Sequence, residues 1–231
     1  MEKKICPKCN ERNTVKNDFQ KNLQRYQCKI CNKNFQIEYS YKAYKKNTDK
    51  MVITLLKEGC GIRSISRILQ ISKNTVLSRM LKISFRIKPH IFSNFKCKFE
   101  VDEIWTFIGN KNKMTWVTYV IERKTKCVIN FFVSNKSKKN IKPLMDKFLA
   151  LQPVRIYTDL LNIYPPLIPK EIHRVFNYCT NIIERKNLTL RTHNKRLSRG
   201  TICYSRKQEY LEDNLKIYFW GYIRIKSKKS L

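Results

Sequence analysis

Four thiols and three carboxylates have the types and spacing for chemistry. Cys6, Cys9, Cys28 and Cys31 form C-x2-C-x18-C-x2-C. Two close thiol pairs on separate turns can complete a tetrahedron around Zn²⁺, and this spacing falls in the range of such sites. The alternative is two unrelated pairs. The carboxylates are Asp102, Asp159 and Glu184. If the fold gathers them, they repel one another unless a divalent cation sits between them. Mg²⁺ suits hard oxygen ligands while keeping reactive waters, and two such ions about 4 Å apart serve phosphodiester displacement.

Glu184 is the only acid in "NIIERKNLTLRTHNKRLSR", residues 181–199, among six Lys and Arg. Two readings are open. Its carboxylate forms helix-surface ion pairs with Lys186 or Arg191, or it holds a cation within a surface that otherwise attracts anions. Arg191 lies seven residues on, about 20° away around a helix, so it could grip a phosphate beside the metal. Lys186, Lys195, Arg196 and Arg199 extend the basic surface. Glu103, next to Asp102, is expected on the opposite face of a strand and not as a ligand. His173 and His193 read as structural or phosphate-binding, with no Ser-His-Asp spacing. Trp105, Trp116 and Trp220 read as core.

The elements that must position these groups change in character along the chain. Residues 1–40 are too few to fold on a core alone, so a metal would supply stability. Residues 45–88 hold three short helical patterns with Thr48 and Ser72 as caps and Gly59 as a stop. Ile65, Ile68, Leu69, Ile71, Val76, Leu77, Met80 and Leu81 would pack them as a helix-turn-helix. The last helix would then turn Lys73, Asn74, Ser78, Arg79 and Lys82 toward a major groove. Residues 88–98 read as a linker.

From residue 97 the pattern shifts to "FEVDEIWTFIG", "TWVTYVIERKT" and "CVINFFVSN", three β-branched and aromatic strands. The amphipathic helix "KNIKPLMDKFLAL", the strand "VRIYTD" ending in Asp159, and a further strand "IHRVFNY" follow. The basic helix carrying Glu184 comes next, then a helix whose Leu211, Leu215, Tyr218, Phe219 and Tyr222 form a core stripe. The fold class is multidomain α+β, ending in a mixed sheet covered by helices.

The chain has 49 Lys and Arg against 17 Asp and Glu, a net charge of +32. That field favours nucleic acid as partner, although codon bias in an AT-rich genome would also enrich lysine. No apolar run reaches the roughly 18 residues of a membrane span, and the N-terminus lacks a signal-peptide pattern. An intracellular protein with reduced thiols is expected, cytoplasmic and associated with the nucleoid. The remaining cysteines (Cys60, Cys97, Cys127, Cys179, Cys203) read mostly as small buried residues.

"VDEIW" at 101–105, "YTD…IY" at 157–164 and "IERKNLTLRTHNKRLSR" at 183–199 resemble transposases of the insertion-sequence-one family. The likeness covers nearly the whole chain, and the last block is its most specific part. It implies a zinc ribbon (1–40), a helix-turn-helix (45–88) and a ribonuclease-H-like catalytic domain (97–231). Asp102, Asp159 and Glu184 would then be ligands to two catalytic Mg²⁺ ions, with Arg191 the basic residue seven after the glutamate. Double-stranded DNA is the implied partner: the element's terminal inverted repeats, then target DNA attacked by the freed 3′-hydroxyl. Pairing two ends implies a homo-oligomer. Leu160 stands where the family usually has glycine, and Gly200 where a basic residue is common. These departures leave open a catalytically decayed, DNA-binding regulator.

Overall fold

A computed structural model describes residues 4–37, 42–45, 47–88 and 96–221. Most of the expected linker (89–95), Tyr222 and the basic tail (226–231) lie outside these residues. The chain divides into two compact units, Met1–Thr48 and Asp49–Leu231.

The first unit is a three-stranded antiparallel sheet of β1 (Thr14–Gln20), β2 (Leu23–Cys28) and β3 (Asn34–Gln36), in that order. Lys21 and Asn22, between paired Gln20 and Leu23, take φ of 50° and 60°. A two-residue hairpin needs that left-handed backbone to match the twist of its strands. Its small core is Cys6, Cys28 and Phe35, with Tyr26 stacked on Phe35 at 5.9 Å.

The second unit opens with α1 (Thr48–Lys57), α2 (Ile62–Leu69) and α3 (Lys73–Arg86). Ser72 caps α3, its hydroxyl accepting from the Thr75 N–H at 3.1 Å. Thr48 makes no such cap: its hydroxyl donates to the Lys45 carbonyl at 2.8 Å. Gly59 ends the α1 region at φ 78°, and a Cβ there would fall 2.3 Å from the His193 carbonyl oxygen, so only glycine fits. Ile65, Ile71, Val76, Met80 and Ile83 are buried, whereas Ile68 and Leu81 are exposed. Contacts run from α3 to α6 (Gln208–Trp220), with the Ser84 hydroxyl bonded to Asp213.

The main sheet is mixed, ordered β6-β5-β4-β7-β8. Its strands are β4 (Lys98–Phe107), β5 (Met114–Glu122), β6 (Val128–Ser134), β7 (Arg155–Tyr157) and β8 (His173–Arg174). β4, β5 and β6 pair antiparallel, and β7 and β8 add parallel strands beside β4. The expected last strand shrinks to β8, and β7 stops two residues before Asp159. Helix α4 (Lys138–Leu149) packs on one face with Phe99, Val101, Ile156 and Tyr164; α5 (Asn181–His193) and α6 cover the other with Ile104, Tyr119, Ile183 and Leu190. The period-two alternation of β4 thus sends odd positions to α4 and even ones to α5. Trp220 is buried, but Trp105 and Trp116 are only half-buried. Of the scattered cysteines Cys179 alone is buried, so the expectation of a buried set fails.

Candidate active site

In the first unit the structure brings the four predicted thiols together. Cys6 Sγ lies 3.6 Å from Cys31 Sγ, and Cys9 Sγ 3.5 Å from Cys28 Sγ. All four sulfurs fall within 4.8 Å of one another. A tetrahedron with Zn–S bonds of about 2.3 Å has edges of about 3.8 Å, so this donor set fits zinc. Burial opposes ionisation of Cys6, but the Cys9 and Lys8 N–H groups together with the Cys9 and Cys31 thiols outweigh it and bring the thiol down to about 6.

In the second unit, Asp102 projects from β4 toward α5, and Asp159 follows the end of β7. Carboxylate oxygens of Asp102, Glu103 and Asp159 lie within 4.8 Å of one another. Glu103 does leave the opposite sheet face, as alternation requires, yet its oxygen reaches this group because β7 no longer flanks β4 there. Its carboxylate accepts from the Tyr164 hydroxyl and pairs with Lys136 Nζ at 3.3 Å. Glu184, on the first turn of α5, is exposed and falls outside that tight group. Its Oε1 accepts from the Thr180 hydroxyl at 2.8 Å, and among the described residues it pairs with neither Lys186 nor Arg191.

Asp102 is held on both oxygens. Oδ1 accepts from the Glu103 N–H at 2.7 Å and Oδ2 from Asn187 Nδ2 at 2.6 Å. The Tyr119 hydroxyl donates to Asn187 Oδ1 at 2.6 Å, which orients the amide. Burial chiefly, with the charges of Glu103 and Asp159, pushes the Asp102 carboxyl up to about 7. Burial and neighbouring charge raise both Asp102 and Glu103, a penalty that a divalent cation beside them would relieve.

Asp159 Oδ1 accepts from the Leu161 N–H at 3.1 Å and so shapes its own turn. Leu160 is 84% exposed and is absent from the positive-φ positions, so this turn does not demand glycine. Gly200 takes φ 66° in open space. Arg191 is half-buried, and its Nε has no hydrogen-bond partner among the described residues. His173 Nε2 meets the Thr158 hydroxyl at 2.8 Å, and burial lowers its pKa; His193 Nδ1 lies 3.3 Å from the Tyr218 hydroxyl.

The basic residues separate. Lys73, Asn74, Ser78, Lys82, Lys195 and Arg199 are exposed. Arg79 turns back to pair with Asp49. Arg196 turns inward, its Nη1 donating to Ser205 Oγ at 2.9 Å, and burial lowers its pKa. Lys186 lines a cleft of about 560 Å³ with Lys57 and Lys126, which none of the carboxylates above enters.

Residues 95–227 match the protein family described as IS1 transposase. The chain belongs to that family. Similar proteins include the insertion element iso-IS1n protein InsB of Shigella dysenteriae, 34% identical over 113 residues, which are 49% of this chain and 86% of that protein. The insertion element IS1 2 protein InsB of Escherichia coli K12 is 29% identical over 110 residues, 48% of this chain and 66% of its own length. A chain in the intasome of simian T-cell lymphotropic virus, solved with the PP2A regulatory subunit B56 gamma, aligns at 14% identity. The alignment covers 62% of this chain and 59% of that one, with a TM-score of 0.33. The stretch matched to the IS1 family contains Asp102, Glu103, Asp159, Glu184 and all of α5, while the thiol cluster and α1–α3 precede it.

Sequence reading named Glu103 but set it aside, and it missed Asn187, Tyr119 and Glu100. Asn187 had a signal, since it lies three residues after Glu184 in the block that carries the resemblance. Glu100 had another: it shares the Asp102 face of β4.

Proposed function

We propose that this protein is a DNA transposase: it binds the terminal inverted repeats of its element, cleaves a strand at each end and joins the freed 3′-hydroxyl to target DNA. The observation that carries this reading is the carboxylate group of Asp102, Glu103 and Asp159, beside the basic helix α5 in a chain of net charge +32. Asp102 and Asp159, with Glu184 from α5, would hold two Mg²⁺ ions. Bound there, the ions would activate the attacking oxygen and stabilise the leaving one.

The chain's own residues do the rest. Asn187 and the Glu103 N–H fix the plane of the Asp102 carboxylate. Tyr164 and Lys136 hold Glu103 at the edge of the group, where its charge helps draw a cation in. Arg191, with its Nε unpaired among the described residues and on the Glu184 face of α5, steadies a phosphate. Lys186, Lys195 and Arg199 carry the strand by phosphate contacts that position without reading sequence. The three antiparallel strands, the helix and the two parallel strands support a ribonuclease-H-like catalytic domain over residues 97–231. Segments 1–40, as a zinc ribbon, and 45–88, as a helix-turn-helix, would recognise the ends, with Lys73 and Asn74 at the groove. Two ends held together call for at least a dimer.

Leu160 does not favour the decayed-regulator reading, because its backbone and exposure suit a side chain. The test is strand cleavage of a labelled duplex carrying the element's terminal repeat, with Mg²⁺ or EDTA, for wild type and Glu184→Gln. Metal-dependent nicking at the end, lost in the variant while DNA binding persists, is expected. Tight binding without cutting by wild type would return the regulator.

A further inference from the structure

Beneath the carboxylate group lies a charged pair that the chemistry above does not use. Glu100 is wholly buried on the Asp102 face of β4. Its Oε2 accepts from the Ile183 N–H at 2.7 Å, in the first turn of α5, and its Oε1 faces Arg123 Nε at 3.1 Å. Arg123, just past the end of β5, also donates from Nη1 to the Cys179 carbonyl at 3.2 Å and lies 4.2 Å over the Tyr157 ring.

The connectivity is informative. Glu100 precedes Asp102 by two residues, Tyr157 precedes Asp159 by two, and Ile183 adjoins Glu184. One ion pair, with Glu100 wholly buried and Arg123 partly exposed, therefore touches all three segments that carry the three carboxylates. Core stability alone does not call for it, since apolar residues of similar volume replace buried ion pairs at little or no cost. The α5 N–H groups, by contrast, need an acceptor that is also fixed to the sheet.

We propose that Glu100 and Arg123 are positioning residues that set the first turn of α5, and with it Glu184, relative to Asp102 and Asp159. This rests on the metal reading above. The pair acts through the backbone and touches neither cation nor DNA. Outer partners of this kind govern how well a ligand set closes on its metal.

The experiment uses the full chain and two readouts: Mn²⁺ binding, followed as loss of the free-ion EPR signal, and the Mn²⁺ midpoint for nicking. Removing Arg123 alone strands the buried Glu100 charge, and glutamine at position 100 would still accept from the Ile183 N–H, so the deciding variant is the double Glu100→Leu, Arg123→Met, with folding checked by circular dichroism. It should fold and bind end DNA within about twofold of wild type, yet bind Mn²⁺ about tenfold more weakly and need about tenfold more for nicking. Arg123→Lys, which keeps the charge but loses the fork to Cys179, should fall between. A folded double variant with wild-type Mn²⁺ affinity overturns the proposal. If the double variant does not fold, Arg123→Lys decides, and a wild-type midpoint there overturns it. Equal Mn²⁺ affinity in wild type and Glu184→Gln would instead overturn the metal reading, and this proposal with it.

Discussion

Asn187 donates from Nδ2 to Asp102 Oδ2 at 2.6 Å, joining the helix that carries Glu184 to the strand that carries Asp102. Tyr119, paired across the sheet with Asp102, turns the amide by donating to its oxygen. The bond is half-buried and charge-assisted once Asp102 is ionised, so its loss should be felt in chemistry more than in stability.

Asn187→Ala should therefore lower the cleavage rate about 10- to 100-fold with end-DNA affinity nearly unchanged. Single-turnover nicking and a gel-shift titration measure the two. Equal losses in both would assign Asn187 to DNA binding instead.

Proton release should accompany cation binding. Asp102 titrates near 7, well above the ordinary 3.8, because burial and neighbouring carboxylates disfavour its charge. A raised folded-state value means that this group's stabilisation is full below about pH 4 and disappears as pH rises through about 7. The metal-free protein should thus lose stability over that window. Mn²⁺ affinity should rise up to about tenfold per pH unit below 7 and level off above it. Isothermal titration between pH 5.5 and 8.5 checks this, and a flat profile would remove Asp102 as the linked group.

Leu160→Gly should restore nothing. The turn is already made by Asp159, and the leucine side chain is 84% exposed. The glycine variant should cleave within about twofold of the parent and be less stable by roughly 0.5–1 kcal/mol from added unfolded-state freedom. A tenfold gain in cleavage would show that the side chain obstructs DNA.

Zinc should be present at about one ion per chain, given one tetrahedral set of thiols. Cys28→Ser or strong chelation should unfold the β1–β3 unit, seen as lost NMR dispersion from residues 4–37, while the α5 and β4 signals persist. Retained dispersion without metal would mean that Phe35 and Tyr26 suffice as a core.

The four clustered thiols were legible because their signal is local: two tight pairs need only a hairpin between them to converge. Asp102 and the basic helix were legible through period-two and helical patterning, and the family through its blocks of adjacent residues. The sequence by itself thus determined the kinds of element, the thiol site and which acids were candidates. Only the tertiary structure decided how those acids group. Alternation sends Glu103 away from Asp102, but where β7 ends the two faces meet around an open strand edge, and Glu103 joins Asp159 there. Arg79 and Arg196 were counted by charge alone, and packing turned each toward an internal partner. Glu100, Tyr119 and Asn187 acquired meaning once α5 docked on β4. Such contacts join residues 68 to 85 positions apart, and no local pattern encodes a distance that only packing creates.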